Sequence, residues 1–122
     1  MIREVPADPA RRGSQLQEVG QLRVSSERED DVHTIALAGE LDLATVDRVA
    51  RELERAEAGD ALAIVLDLGG LTFMDSSGVR LLMQAAARSH ADTGRLVVLG
   101  ARPGAQRVFA ICGVEGMLPF AG

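Results

Sequence analysis

The chain predicts an α/β fold: a mixed sheet of four to five strands, with an N-terminal antiparallel hairpin and a βαβ unit. Three observations predict it. Two stretches of alternating polarity, residues 21–26 and 32–38, flank a short charged run. Two apolar runs, 62–68 and 96–99, carry almost no charge and suit strands covered on both faces. Between them, from about Val79 onward, apolar side chains recur at helical spacing. Strand, helix and strand over residues 62–100 make a βαβ unit, right-handed by the usual rule.

The elements follow in order. Residues 1–19 mix Pro, Gly, Arg and Glu without a sustained period and read as a flexible N-terminal arm, with at most a short turn around Leu16 and Val19. Residues 20–122 form the domain. Leu22 and Val24 alternate with polar neighbours, and the run from Glu27 to Asp31 is a turn. From Val32 to Ala38 the chain alternates again, with His33, Ile35 and Leu37 on one side. Gly39-Glu40-Leu41-Asp42 ends that strand. Leu43, Val46, Val49, Ala50, Leu53 and Ala56 then recur at helical spacing as far as Gly59. On the outer face Asp47/Arg51 and Arg48/Glu52 stand four residues apart, a solvated surface.

Leu62 to Leu68 is the central parallel strand. The helix after it turns Val79, Leu82, Met83 and Ala86 inward and Arg80, Gln84 and Arg88 outward. It stops at Asp92-Thr93-Gly94, where glycine suits a left-handed terminus. Leu96 to Leu99 is a second buried strand. Pro103 opens a short helix carrying Val108, Phe109 and Ile111; Gly113 to Gly116 breaks it, and residues 117–120 make an edge strand or an extended tail.

At 122 residues this is one domain with room for a proper core. Nearly half the residues are apolar, yet only three are aromatic, all Phe, so the core is aliphatic. The absence of Trp and Tyr and a net charge of −5 argue against nucleic acid as a direct partner, since stacking platforms and a basic groove are both missing. All thirteen basic residues are Arg, which excludes lysine Schiff bases and a Walker-type phosphate loop. Cys112 is alone, and with only His33 and His90 no Cys/His metal site can be assembled. No apolar run reaches the length of a membrane span. The chain is expected to be cytoplasmic and to bind neither membrane nor cofactor.

Catalysis finds little support. A serine nucleophile needs a base within hydrogen-bond reach. His33 falls in a strand, and His90 sits near a helix end and close to the apolar stripe. Asp67 lies inside a strand pattern, and Asp42 serves well as a helix cap. The turn from Gly100 to Gly104 reads as a plain strand-to-helix connection. The stretch Phe73-Met74-Asp75-Ser76-Ser77-Gly78 stands apart. It places two hydroxyls and a carboxylate at a strand-to-helix junction, beyond the carboxyl end of a parallel strand, where open α/β sheets expose loops to partners. A serine there is either a silent cap or a phosphate acceptor. Asp75 as N-cap with Ser76 and Ser77 in the first turn is the plain reading.

The wider string shifts the balance. Leu66-Asp67-Leu68 and Leu71 through Val79, preceded by Leu37-Ala38-Gly39-Glu40-Leu41-Asp42, closely resemble the STAS domain, and within it the bacterial anti-sigma factor antagonists. The likeness runs from about Leu22 to Phe120 and includes Val108-Phe109 and Cys112-Gly113-Val114. It implies an STAS-like sheet with helices packed mainly on one face. It also implies that the second loop serine, Ser77, is the phosphoacceptor, and that Asp42, Asp75, Ser76 and Gly78 belong to the partner-binding surface. The unphosphorylated form then binds an anti-sigma factor that is also a serine kinase, freeing a sigma factor. Phosphorylation ends the binding, and a separate serine phosphatase restores it. ATP belongs to the kinase, so the resemblance implies no cofactor and no enzyme activity in this chain. Two rival readings stand beside it: an STAS docking module of a larger signalling or transport assembly that is never phosphorylated, and a nucleotide binder using the same loop. The second lacks lysine and a fingerprint glycine loop.

Overall fold

Alternation in the first half of the chain builds a three-stranded antiparallel ribbon, and the apolar runs extend it with parallel strands. The computed structural model describes residues 15–19 (backbone only), 21–92, 94–100 and 119. Strands β1 (Gln15–Val19), β2 (Leu22–Glu29), β3 (Val32–Leu41), β4 (Ala63–Met74) and β5 (Leu96–Leu99) form one sheet in sequence order. Pairs β1–β2 and β2–β3 are antiparallel; β3–β4 and β4–β5 are parallel. Helix α1 (Val46–Ala58) links β3 to β4, and α2 (Ser76–Ala91) links β4 to β5. The expected hairpin and βαβ unit are both present, and β3 lies beside β4.

Both helices cover the same face. Leu22, Val24, Ile35, Leu37, Leu66 and Val98 from the sheet meet Val49 and Leu53 of α1 and Val79, Leu82 and Ala85 of α2 in one aliphatic cluster. Each Leu, Ile or Val among them contributes about 1.5–3 kcal/mol through burial. An ion pair between Arg88 and Glu57, 3.0 Å, joins the far ends of the two helices. Gly94 takes φ +70°, the left-handed conformation expected after α2.

Several expectations are corrected. Residues 15–19 are not part of an arm: they pair with β2 from Gln15↔Ser26 to Val19↔Leu22, held by main-chain bonds that composition does not announce. Strand β4 does not stop at Leu68 but runs through Gly69-Gly70 to Met74. It passes where β3 lies too close for a side chain, since a Cβ on Gly70 would stand 2.8 Å from Ala38 Cβ. The register shifts there, between Ala36 and Ala38, and again between Gly39 and Glu40. Buried positions along β4 consequently run 64, 66, 68, 71 and 74 rather than in strict alternation.

Helix α2 begins at Ser76 with Asp75 as its expected cap, whereas α1 begins only at Val46, leaving Leu43 outside the helix and 76% exposed. Glu52, expected on a solvated face with Arg48, is 8% exposed and its Oε2 has no hydrogen-bond partner. The reason is spacing: Glu52 lies three residues after Val49 and four before Ala56, both facing inward. His90 is exposed in the last turn of α2, near the helix end as expected. Residues 1–14, the helix from Pro103, Cys112 and most of the expected edge strand at 117–120 lie outside the described residues. Within that last segment, the Pro119 carbonyl accepts from Val98 N at 2.9 Å, along the outer edge of β5.

His33 faces the helices beside Ser26, with Nε2 2.6 Å from Ser26 Oγ. Burial lowers its pKa from the ordinary 6.5; the Glu52 carboxylate opposes the shift, while Arg28 and Arg55 add to it. The unfolded chain therefore binds a proton at a higher pH than the folded chain does. Stability present above about pH 6.5 is lost as pH falls through the lower folded pKa, and the loss then levels off. In calorimetry between about pH 7.5 and 5, the native Tm is expected to fall more steeply than that of His33→Gln. Parallel curves would refute this assignment.

Candidate functional site

Strands β3 and β4 end together. Leu41 pairs with Met74, and Asp75 N donates to the Leu41 carbonyl at 3.2 Å, so Asp42 and Asp75 are the next residues on two neighbouring parallel strands. Both aspartates organise their own loops. Asp75 caps α2: its Oδ1 accepts from Ser77 N at 2.9 Å and Gly78 N at 3.2 Å, and its carbonyl accepts from Gly78 N and Val79 N. Such a cap contributes about 1 kcal/mol. Asp42 Oδ1 accepts from Ala44 N at 3.0 Å and Thr45 N at 3.2 Å. The buried Thr45 closes the turn, its Oγ1 accepting from Asp42 N and donating to the Glu40 carbonyl, each at 3.0 Å.

Gly78 sets how closely α2 sits on the strand ends. A Cβ there would lie 2.7 Å from Met74 Cγ and 3.0 Å from the Leu41 side chain. With Gly78 buried, the preceding turn is held at the surface: Ser76 is exposed and Ser77 half-buried. Neither hydroxyl engages in a hydrogen bond among the described residues. Ser76, Ser77, Arg80 and Gln84 of α2 form one wall of a groove of about 450 Å³; Leu43, Val46, Asp47 and Ala50 form the other.

Two apolar side chains flank this edge in the open, Leu43 at 76% and Phe73 at 50% exposure. Neither was legible as a surface residue. Leu43 fits the helical spacing of α1, and only the real helix start excludes it. Phe73 precedes the buried Met74, and strand parity alone sends it to the other face.

Of the residues singled out from sequence, Asp42, Asp75, Ser76, Ser77 and Gly78 come together at this edge. The histidines do not. His33 pairs with Ile64 at the opposite edge, eight residues or roughly 25 Å back along β3. His90 lies thirteen residues, about 20 Å, along α2 from Ser77. Neither histidine therefore stands within reach of Ser77 Oγ. Among the described residues no group of three or more His, Cys, Asp or Glu is arranged to hold a metal ion. No helix among them is long and apolar enough to cross a membrane.

The family model described as "Mlab, STAS domain" matches residues 24–119. The chain belongs to the STAS domain family. This STAS domain is 36% identical over 81 residues to an anti-sigma F factor antagonist of Lysinibacillus sphaericus, covering 66% of this chain and 69% of that one. It also matches the solved structure of the anti-sigma factor antagonist SpoIIAA in its unphosphorylated form, with TM-score 0.62 and 28% identity over 89% of this chain and 88% of that one. A second structure, of the Bacillus cell fate determinant SpoIIAA in the phosphorylated form, matches with TM-score 0.57 and 28% identity over 89% and 91%. The STAS domain thus shares its fold with a protein solved in both states, and its relatives are named for regulating sigma factors rather than for a reaction.

Proposed function

We propose that this STAS domain is an anti-sigma factor antagonist switched by phosphorylation of Ser77. Its unphosphorylated form binds an anti-sigma factor that is also a serine kinase, and so frees a sigma factor. A separate serine phosphatase reverses the modification. The domain acts as ligand and substrate, not as an enzyme, and ATP is held by the kinase.

The observation that carries the reading is the state of the Ser77 hydroxyl. It is half-exposed, free of hydrogen bonds among the described residues, fixed in the first turn of a capped helix, and lines an open groove. A kinase can reach such a hydroxyl without unfolding anything. Asp42, Asp75 and Ser76 form the surrounding docking surface, with the expected Gly78 buried beneath them instead and the exposed Leu43 and Phe73 supplying apolar contact. A phosphate adds about −1.5 to −2 charges beside two aspartates, on a surface that the partner meets as a neutral hydroxyl. The names of the relatives, and SpoIIAA's having been solved phosphorylated, support the same reading.

The test is incubation with ATP and the anti-sigma factor kinase that the domain binds, followed by intact mass measurement. The native chain is expected to gain one phosphate and Ser77→Ala none. A chain that binds the kinase yet gains no phosphate would replace the switch with a static docking module.

A further inference from the structure

Arg80 is the side chain the proposed switch leaves unexplained. It lies three residues after Ser77 and four after Ser76, the two spacings at which side chains on a helix become neighbours. It lines the same wall of the groove as both serines. It is exposed, and it makes no ion pair or hydrogen bond among the described residues. Asp47, across the groove on α1, is the nearest candidate partner by position, yet the two form no ion pair.

The helix terminus has little left with which to hold a phosphate. The N–H groups of Ser77, Gly78 and Val79 are already accepted by Asp75, through its side chain or its carbonyl. The Asp75 carboxylate also places a negative charge where the helix dipole would otherwise attract an anion. Among the residues lining the groove, Arg80 is the single cation, and its guanidinium can donate two parallel hydrogen bonds to a phosphoryl group.

We infer that Arg80 is an intramolecular clamp for the phosphoryl group on Ser77, drawing it along α2 into the groove between the two helices. The inference rests on Ser77 being the modified residue. In the phosphorylated state Arg80 donates to two phosphate oxygens, and the charged groups facing the phosphate are Asp47 from α1, Asp42 from the loop after β3, and Asp75 at the helix cap. All three oppose it, so Arg80 is the group that makes a fixed position for the phosphate tolerable. The modified loop then presents a phosphate anchored against its own helix rather than one free to turn away from an incoming partner.

The test installs phosphoserine at position 77 during translation, so that no kinase is required. Phosphorus NMR titrations compare this protein with Arg80→Gln carrying the same phosphoserine; glutamine is a good helix former at an exposed position, and matching amide spectra check the fold. The phosphate's second ionisation, ordinarily near pH 6, is expected to sit about half a unit lower with Arg80 present, roughly threefold in proton affinity. The Arg80 Nε–H resonance is expected to move on phosphorylation in the native chain, a readout that needs no substitution. Equal titration midpoints, or an unmoved Arg80 resonance, overturn the clamp. Because the phosphate is supplied by translation, either result stands whether or not a kinase modifies Ser77.

Discussion

Ser77→Asp is expected to weaken binding to the anti-sigma factor at least about a hundredfold, while Ser77→Ala binds within about threefold of the native chain. Alanine removes an oxygen that makes no hydrogen bond among the described residues, so little is lost within the domain. Aspartate adds a fixed negative charge at an edge that already carries Asp42 and Asp75. Like-charge contact in an interface shaped for a neutral hydroxyl costs several kcal/mol, and about 1.4 kcal/mol is a decade of affinity. The opposing attraction to the helix terminus is at most about 1 kcal/mol and is weakened here because Asp75 occupies the N–H groups. Repulsion therefore wins without any refolding of the domain. Titration calorimetry against the purified anti-sigma factor measures the effect, and raising the salt from about 0.05 to 0.5 M should shrink it. Equal affinity of the two variants would remove electrostatic repulsion as the basis of the switch.

The largest loss of stability is expected at Gly39. Its φ is +104°, and a Cβ there would lie 2.0 Å from the Gln21 carbonyl oxygen and 3.1 Å from the Gln21 carbonyl carbon. The same oxygen accepts from Glu40 N at 3.0 Å, so it cannot withdraw without losing a hydrogen bond. Gly39→Ala thus combines a strained backbone, about 1–3 kcal/mol, with an overpacked one, about 1–3 kcal/mol more. For a domain of this size the sum lowers Tm by on the order of 10–20 °C. Gly94→Ala is the matching control. Gly94 also has positive φ, +70°, but nothing lies within 4 Å of its Cβ position, so only the left-handed cost of about 1–2 kcal/mol applies. Thermal unfolding of the two variants separates strain from collision. Comparable losses at both positions would show that the approach of the Gln21 carbonyl is not what requires glycine.

Gly39 also bears on the site. It stands at one of the register shifts between β3 and β4, two residues before the Leu41–Met74 pair that sets Asp42 beside Asp75. A variant that relaxes this kink is expected to disturb the docking edge as well as the fold.

Much of this architecture was legible because side-chain period survives in the sequence. Alternation at Leu22/Val24 and Ile35/Leu37 marked β2 and β3, and helical spacing from Val79 marked α2. Asp75-Ser76-Ser77-Gly78 was legible as a capped junction because a carboxylate two residues before a serine N–H is local chemistry. Strand β1 was not, because an edge strand is held by main-chain bonds that leave little trace in composition. Glu52 was misplaced because charge argued for solvent while position argued for the core, and position prevailed.

The amino-acid order by itself determined strands β2 to β5 and both helices in outline, the aliphatic core and the identity of the serine loop, because each depends on residues within a few positions of one another. Only the tertiary structure decided the register that sets Asp42 directly beside Asp75, that Leu43 and Phe73 face outward, and that Arg80 shares a groove with Ser77. Those relations depend on where β3 is kinked against β4 and how closely α2 rests on Met74 and Leu41, and such approaches between distant segments are set by packing, which no local pattern records.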